Sequence, residues 1–138
     1  MSNLTVSDLM KTNLRVVHED DSIRAADWEM TLDEIRHLLV VDVAGKLLGI
    51  VSDRDVLRAR ERGDSDVAIS TIMNRDVLFV GPATPASWAV ERMLRGKYSA
   101  LPVVDEAGKP VGIVTSTDFL EIAYRALNGL DTRHIARA

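Results

Sequence analysis

Cysteine is absent from the 138 residues, which excludes disulfides, thiolate metal sites and cysteine nucleophiles. Basic charge is not in excess either: 17 Lys and Arg stand against 21 Asp and Glu, a formal net charge of -4. Affinity for a phosphate backbone needs a basic surface, so direct nucleic-acid binding is not expected. No apolar run approaches the ~20 residues that cross a bilayer. The N-terminal stretch MSNLTVSDLMKTNLRVVHEDD has neither the basic start nor the apolar core of a signal peptide. The expectation is a cytoplasmic chain with no membrane association. His18, His37 and His134 lie far apart without metal-ligand spacing. There is no Ser/His/Asp grouping, P-loop or dinucleotide fingerprint. Neither an enzyme, a bound metal nor a required cofactor is therefore expected. Hydrophobic residues make up 46% and charged residues 28%, the balance of an ordinary globular chain.

The dominant feature is an internal repeat. Leu38 to Leu57, LLVVDVAGKLLGIVSDRDVL, aligns without a gap with Leu101 to Leu120, LPVVDEAGKPVGIVTSTDFL, at an offset of 63, and twelve of the twenty pairs are identical. Unrelated segments of that length share on the order of one or two, so the match is a duplication. The same offset pairs Leu9-Met10 with Ile72-Met73, Val17 with Val80, Ala26 with Ala89 and Met30 with Met93. The copies run from Thr5 to Arg62 and from Ala68 to Arg125, giving domains 1–65 and 66–138 with the polar string Gly63 to Asp66 as the boundary.

Each copy reads as strand, helix, strand, strand, helix. Leu14 to Val17 and Val77 to Val80 are short apolar strands. In the helices that follow, Asp21 is the expected cap of the first, and Thr84, with Pro85 at the first helical position, of the second. Ala89, Val90, Met93 and Leu94 form one apolar face, and Trp28, Trp88, Met30 and Met93 read as core or interface. His37 to Asp42 and Ala100 to Asp105 are buried strands, turned by Ala44-Gly45 and Ala107-Gly108 into Lys46 to Ser52 and Lys109 to Thr115. Final helices start near Asp53 and Ser116, and Asn128-Gly129 ends the second. The last residues, LDTRHIARA, form a short helix or fray. Arg54, Arg58, Arg60 and Arg62 mark a solvated helix face. A unit of about sixty residues buries little core alone. The expected fold class is therefore α/β (α+β): tandem βαββα repeats packed with pseudo-two-fold symmetry, with ligand clefts at their junction.

Chemistry concentrates in Gly-Ile-Val-Ser/Thr-x-x-Asp, at Gly49 to Asp55 and Gly112 to Asp118. It falls where a strand gives way to a helix, whose first N–H groups are unsatisfied and suit an anion such as phosphate. Ser52 and Thr115 add a hydroxyl there. An ionised Asp55 or Asp118 is an acceptor for ribose hydroxyls. The same four residues also fit the Ser/Thr-x-x-acid capping pattern, which stabilises a helix and binds nothing. Both readings stand at this level. Arg54 is placed either for phosphate or for pairing with Asp53 or Asp55. The second copy carries Ser116-Thr117 instead of Asp53-Arg54, and ranks first as a site because it offers more room.

The paired motifs, the LLVVD and LPVVD strings and the βαββα order resemble the cystathionine-β-synthase (CBS) domain pair, or Bateman module, over nearly the whole chain. The resemblance implies a stand-alone regulatory module, a homodimer acting on an effector protein in trans. Its implied ligand is an adenosine nucleotide such as AMP, ADP or ATP, with S-adenosylmethionine and NAD as variants. It also implies the roles: Asp118 and Asp55 hold ribose, and Thr115 and Ser52 face phosphate, with Arg54, His37 and Arg36 nearby. Arg15, Val16, Leu78, Phe79, Ser99 and Ala100 line the adenine region. One departure is Pro102, where the first copy has Leu39; the strand is expected to survive it. The alternative is a ligand-free dimerisation module in which the motif aspartates only cap helices.

Overall fold

The runs that read as buried strands form the centre of each half. In a computed structural model of the chain, described for residues 3–33 and 35–130, β2 (His37–Val41) and β3 (Leu47–Ser52) pair antiparallel, as do β4 (Ala100–Val104) and β5 (Pro110–Thr115). The two turns are built alike. Asp42 accepts the N–H groups of Ala44 and Lys46 at 2.8 and 3.0 Å, and Asp105 accepts those of Ala107 and Lys109 at 2.9 and 3.0 Å. Gly45 and Gly108 take φ values of 85° and 81°, a left-handed conformation that glycine adopts without steric cost.

Around these hairpins lie α1 (Val6–Leu9), β1 (Val16–His18), α2 (Ile23–Asp33), α3 (Asp53–Glu61), α4 (Ala86–Gly96) and α5 (Ser116–Leu127), with a 3-10 turn at Ile69–Thr71. The chain resolves into two compact units, Leu14–Val77 and a second made of the N-terminal segment through Asn13 with the residues from Leu78 onward. The leading segment of each repeat thus packs on the hairpin of the other. Ile72 and Met73 join the core of Val17, Ile23, Ala26, Met30, Leu38, Val40, Val51, Val56 and Ala59. Val6 and Met10 join that of Val80, Ala89, Met93, Leu101, Val103 and Val114. Each fully buried aliphatic here contributes roughly 1.5–3 kcal/mol.

That crossing explains the motif glycines. A side chain at Gly49 would meet the Asn74 carbonyl oxygen at 2.7 Å and Met73 Sδ at 3.1 Å; at Gly112 it would meet Met10 Sδ at 2.6 Å. The backbone of each crossing segment is fixed by an isolated bridge, Ile50 with Asn74 and Ile113 with Lys11.

Several local expectations change. The first strand is Val16–His18 rather than Leu14 to Val17, and it pairs parallel with β2. Its counterpart at Val77 to Val80 shrinks to a single bridge, Val80 with Val103. Pro102 is the reason. In the first unit the Leu39 N–H donates to the Arg15 carbonyl at 3.3 Å; proline has no N–H to give to Leu78 at the equivalent place. Ser22, not Asp21, caps α2, accepting the Ala25 N–H at 3.1 Å, while Asp21 accepts the His18 N–H. Pro85 occupies the cap position of α4, and the Thr84 hydroxyl turns to the Gly81 N–H.

The string Gly63 to Asp66 leads into a segment bonded to the first unit, with Ser65 and Val67 carbonyls accepting the Arg24 and Ile23 N–H groups. Met30 and Met93 are core, but Trp28, Trp88 and Leu94 are exposed by 66%, 42% and 76%. Arg92 lies over the Trp88 ring at 5.1 Å. Of the final stretch LDTRHIARA, all but Leu130 lies outside the described residues, His134 included.

Candidate functional site

Each motif closes on itself before any ligand is considered. Ser52 is in extended conformation (φ -102°, ψ 163°) at the end of β3, and its hydroxyl oxygen accepts the Asp55 N–H at 3.2 Å. Asp55 Oδ2 accepts the Ser52 N–H at 3.0 Å and the Ser52 hydroxyl at 2.9 Å. In the second unit Asp118 Oδ2 accepts the Thr115 N–H at 2.8 Å and the Thr115 hydroxyl at 3.3 Å. Both are reciprocal capping boxes. A third, which the sequence reading missed, joins Thr5 and Asp8 at the start of α1.

The capping and binding readings divide by oxygen atom. In both motifs Oδ2 serves the cap, while Oδ1 meets a cation: Arg58 Nη1 at 3.7 Å from Asp55, and Lys11 Nζ at 3.5 Å from Asp118. The capped aspartate therefore keeps one oxygen available to a ribose hydroxyl, at the cost of loosening an ion pair. Asp118 is nearly sealed, 3% exposed against 30% for the Asp55 side chain.

The helix starts differ more sharply. The first N–H of each helix is used in the same way, Asp53 donating to the Arg36 carbonyl at 2.9 Å and Ser116 to that of Ser99 at 3.0 Å. The next N–H separates the copies. Arg54 N–H is taken by the Asp53 carboxylate at 2.9 Å, so an acidic group sits where an anion would bind. Thr117 N–H has no acceptor among the described residues, and the residue before it is Ser116 rather than an aspartate. The Arg54 guanidinium pairs with neither Asp53 nor Asp55; Arg58 holds Asp55 instead.

The other expected site residues fall around these starts. His37 lies opposite Ser52, and Ala100 opposite Thr115, in the strand register. Burial, the largest influence, with Arg36 beside it, pushes the His37 pKa below the ordinary 6.5 against the pull of Asp53 and Asp55. The imidazole is therefore neutral at pH 7. Arg15 and Val16 lie on the edge of the β1–β2 ladder; Val16 is 45% exposed and lines an open groove of about 450 Å³ with Val17, Ser22, Ala25 and Trp28. Ser52 and Asp55 do not line that groove. Leu78 packs on the second core, whereas Phe79 is 56% exposed.

Lys11 was not legible as a neighbour of the motif from the sequence. No signal within its own repeat pointed to Asp118, because the contact depends on the leading segment crossing to the other copy's hairpin.

Comparison with known proteins decides the family. The CBS domain family matches twice, over residues 6–62 and 69–125. The chain belongs to the CBS domain family. The CBS domain pair of MJ0100, solved in complex with 5′-methylthioadenosine and S-adenosyl-L-methionine, is 31% identical and superposes with a TM-score of 0.80 over 87% of this chain and 99% of that one. CBSX2, solved with AMP, is 29% identical with a TM-score of 0.78 over 89% and 98%. The cytosolic domain of the Mg2+ channel MgtE, solved with ATP, is 31% identical with a TM-score of 0.74 over 83% and 46%. A homoserine O-acetyltransferase of Methanococcoides burtonii is 37% identical over 118 residues, 86% of this chain. The chain spans only 24% of that protein's length, so its activity is not carried over to this CBS pair. Among the described residues no helix is long and apolar enough to cross a membrane.

Proposed function

We propose that this CBS pair is a regulatory module that binds an adenosine-containing ligand of the AMP, ADP or ATP class at its strand-to-helix motifs, with the Thr115–Asp118 motif the principal site. The observation that carries the reading is the open Thr117 N–H at the start of α5, beside a carboxylate whose Oδ1 is not needed by the cap. Phosphate is favoured at such an N–H by the helix dipole, and a ribose hydroxyl by an acceptor-only carboxylate. Four adenosine-containing ligands in three similar solved CBS proteins support an adenosine-containing ligand, and two of the four, AMP and ATP, carry phosphate. Ser99, Ala100, Leu78 and Phe79 are assigned to adenine on the second unit, and Arg15 and Val16 on the first. Arg36, His37 and Arg54 are assigned to phosphate around Ser52.

The test is titration calorimetry with AMP, ADP, ATP, NAD and S-adenosylmethionine. Saturable heat with at least one of them, lost in the Thr115→Ala, Asp118→Asn variant, is expected; no heat with any overturns the reading. The module acts as a homodimer on an effector in trans. The exposed row Leu120, Tyr124 and Leu127 on α5, at i, i+4 and i+7, is an apolar face suited to that dimer. Sedimentation equilibrium checks it.

The ligand-free reading has one observation of its own. The Thr5–Asp8 box reproduces the same local hydrogen bonds at the start of a four-residue helix, so the box alone implies no ligand.

A further inference from the structure

The second motif receives a cation from outside its own repeat. Lys11 follows α1, whose Val6 and Leu9 are fully buried and whose first N–H groups donate to the Thr84 and Pro82 carbonyls at 2.8 and 2.9 Å. Lys11 then exchanges two backbone hydrogen bonds with Ile113, both 3.0 Å, two residues before Thr115. The backbone is therefore fixed on β5 at the mouth of the motif. The side chain reaches Asp118 Oδ1 at 3.5 Å while remaining 56% exposed. An ammonium has three donors. The ion pair with the carboxylate leaves donors for an oxygen arriving from solvent.

The first unit lacks this device. The position related to Lys11 by the repeat is Asn74, which makes the equivalent bridge to Ile50. Asn74 is uncharged, and its side-chain oxygen accepts the Asp76 N–H at 3.1 Å within its own loop. The cation beside Asp55 is Arg58, from the same helix.

We infer that Lys11 is a ligand-contacting, specificity-determining residue of the Asp118 site, which selects phosphate-bearing over uncharged adenosine ligands. This rests on the nucleotide reading above. The ammonium keeps the sealed carboxylate compensated when the site is empty and is shared with the ligand phosphate when it is filled. A charge-assisted bond of this kind is worth on the order of tenfold in affinity.

The experiment is calorimetric titration of adenosine, AMP and ATP into the wild-type chain and the Lys11→Met and Lys11→Arg variants, with urea unfolding as a check on folding. Lys11→Met is expected to weaken AMP and ATP by about tenfold or more, and adenosine by less than about threefold, while Lys11→Arg stays near wild type. Unchanged AMP binding in Lys11→Met, or equal loss for adenosine and AMP, overturns the assignment and leaves the nucleotide reading standing. Wild-type protein that binds none of the three overturns the Lys11 assignment, and overturns the nucleotide reading as well if ADP, NAD and S-adenosylmethionine also give no heat.

Discussion

Two copies of one sequence have become two differently finished units. The first keeps a three-stranded sheet, an acidic residue over its α3 start and a half-open aspartate. The second has a two-stranded sheet, hydroxyls at its α5 start and a sealed aspartate held by a lysine from the crossing segment. The hairpins, turns and capping boxes are the same. The fold is thus carried by what the copies share; among the positions where they diverge, 39/102 changes the sheet, and 53/116, 54/117 and 11/74 change the polar groups around the two helix starts.

The largest effect tests the shared crossing. Gly49→Ala is expected to cost about 2–3 kcal/mol and Gly112→Ala about 1 kcal/mol in urea unfolding. A methyl group at Gly49 meets a backbone oxygen first, whereas at Gly112 it meets only side-chain atoms of Met10. Equal costs would remove this contrast. Next come the aspartates. Asp118→Ala is expected to lose about 2 kcal/mol and Asp55→Ala about 1 kcal/mol, because both lose a cap but only Asp118 is sealed from solvent.

These expectations depend on features the sequence revealed unevenly. The duplicated hairpins, the turn aspartates' neighbourhood and the start of α3 and α5 were readable because each is local: strand length, Gly at a turn, Ser/Thr-x-x-Asp at a helix start. The exchange of Leu9-Met10 and Ile72-Met73 was not. Their apolar character says that they are buried and is silent on which hairpin buries them. Lys11 was invisible for the same reason. Pro102 was noticed, but its effect falls on another segment, Val77 to Val80, whose composition still reads as a strand. The competition of Asp21 with Ser22, and of Thr84 with Pro85, was settled by one-residue differences in where each helix begins.

Pro102→Leu sharpens the comparison further. The restored N–H should bond the Leu78 carbonyl as Leu39 bonds Arg15, extending the parallel ladder. A protected amide at position 102, where proline has none, and slower exchange at Val80 are expected, with stability changed by about 1 kcal/mol or less; an unprotected new amide and unchanged exchange at Val80 would detach the short ladder from proline.

The smallest effect is the pH response of the first unit. Burial holds the folded His37 pKa below 6.5. The unfolded chain takes up the proton first as pH falls, so stability is retained above about pH 6.5 and declines below it. Thermal unfolding of His37→Gln between pH 7 and pH 5 should fall less steeply than wild type. Parallel slopes would remove His37 from that response.

Two-dimensional NMR of the amide N–H groups during titration with AMP reports on the proposed nucleotide site at the α5 start of the second copy. A saturable shift of Thr117 and Thr115 larger than that of Arg54 and Ser52 is expected; no shift at Thr117, or shifts confined to the Arg54 side, would rule that site out.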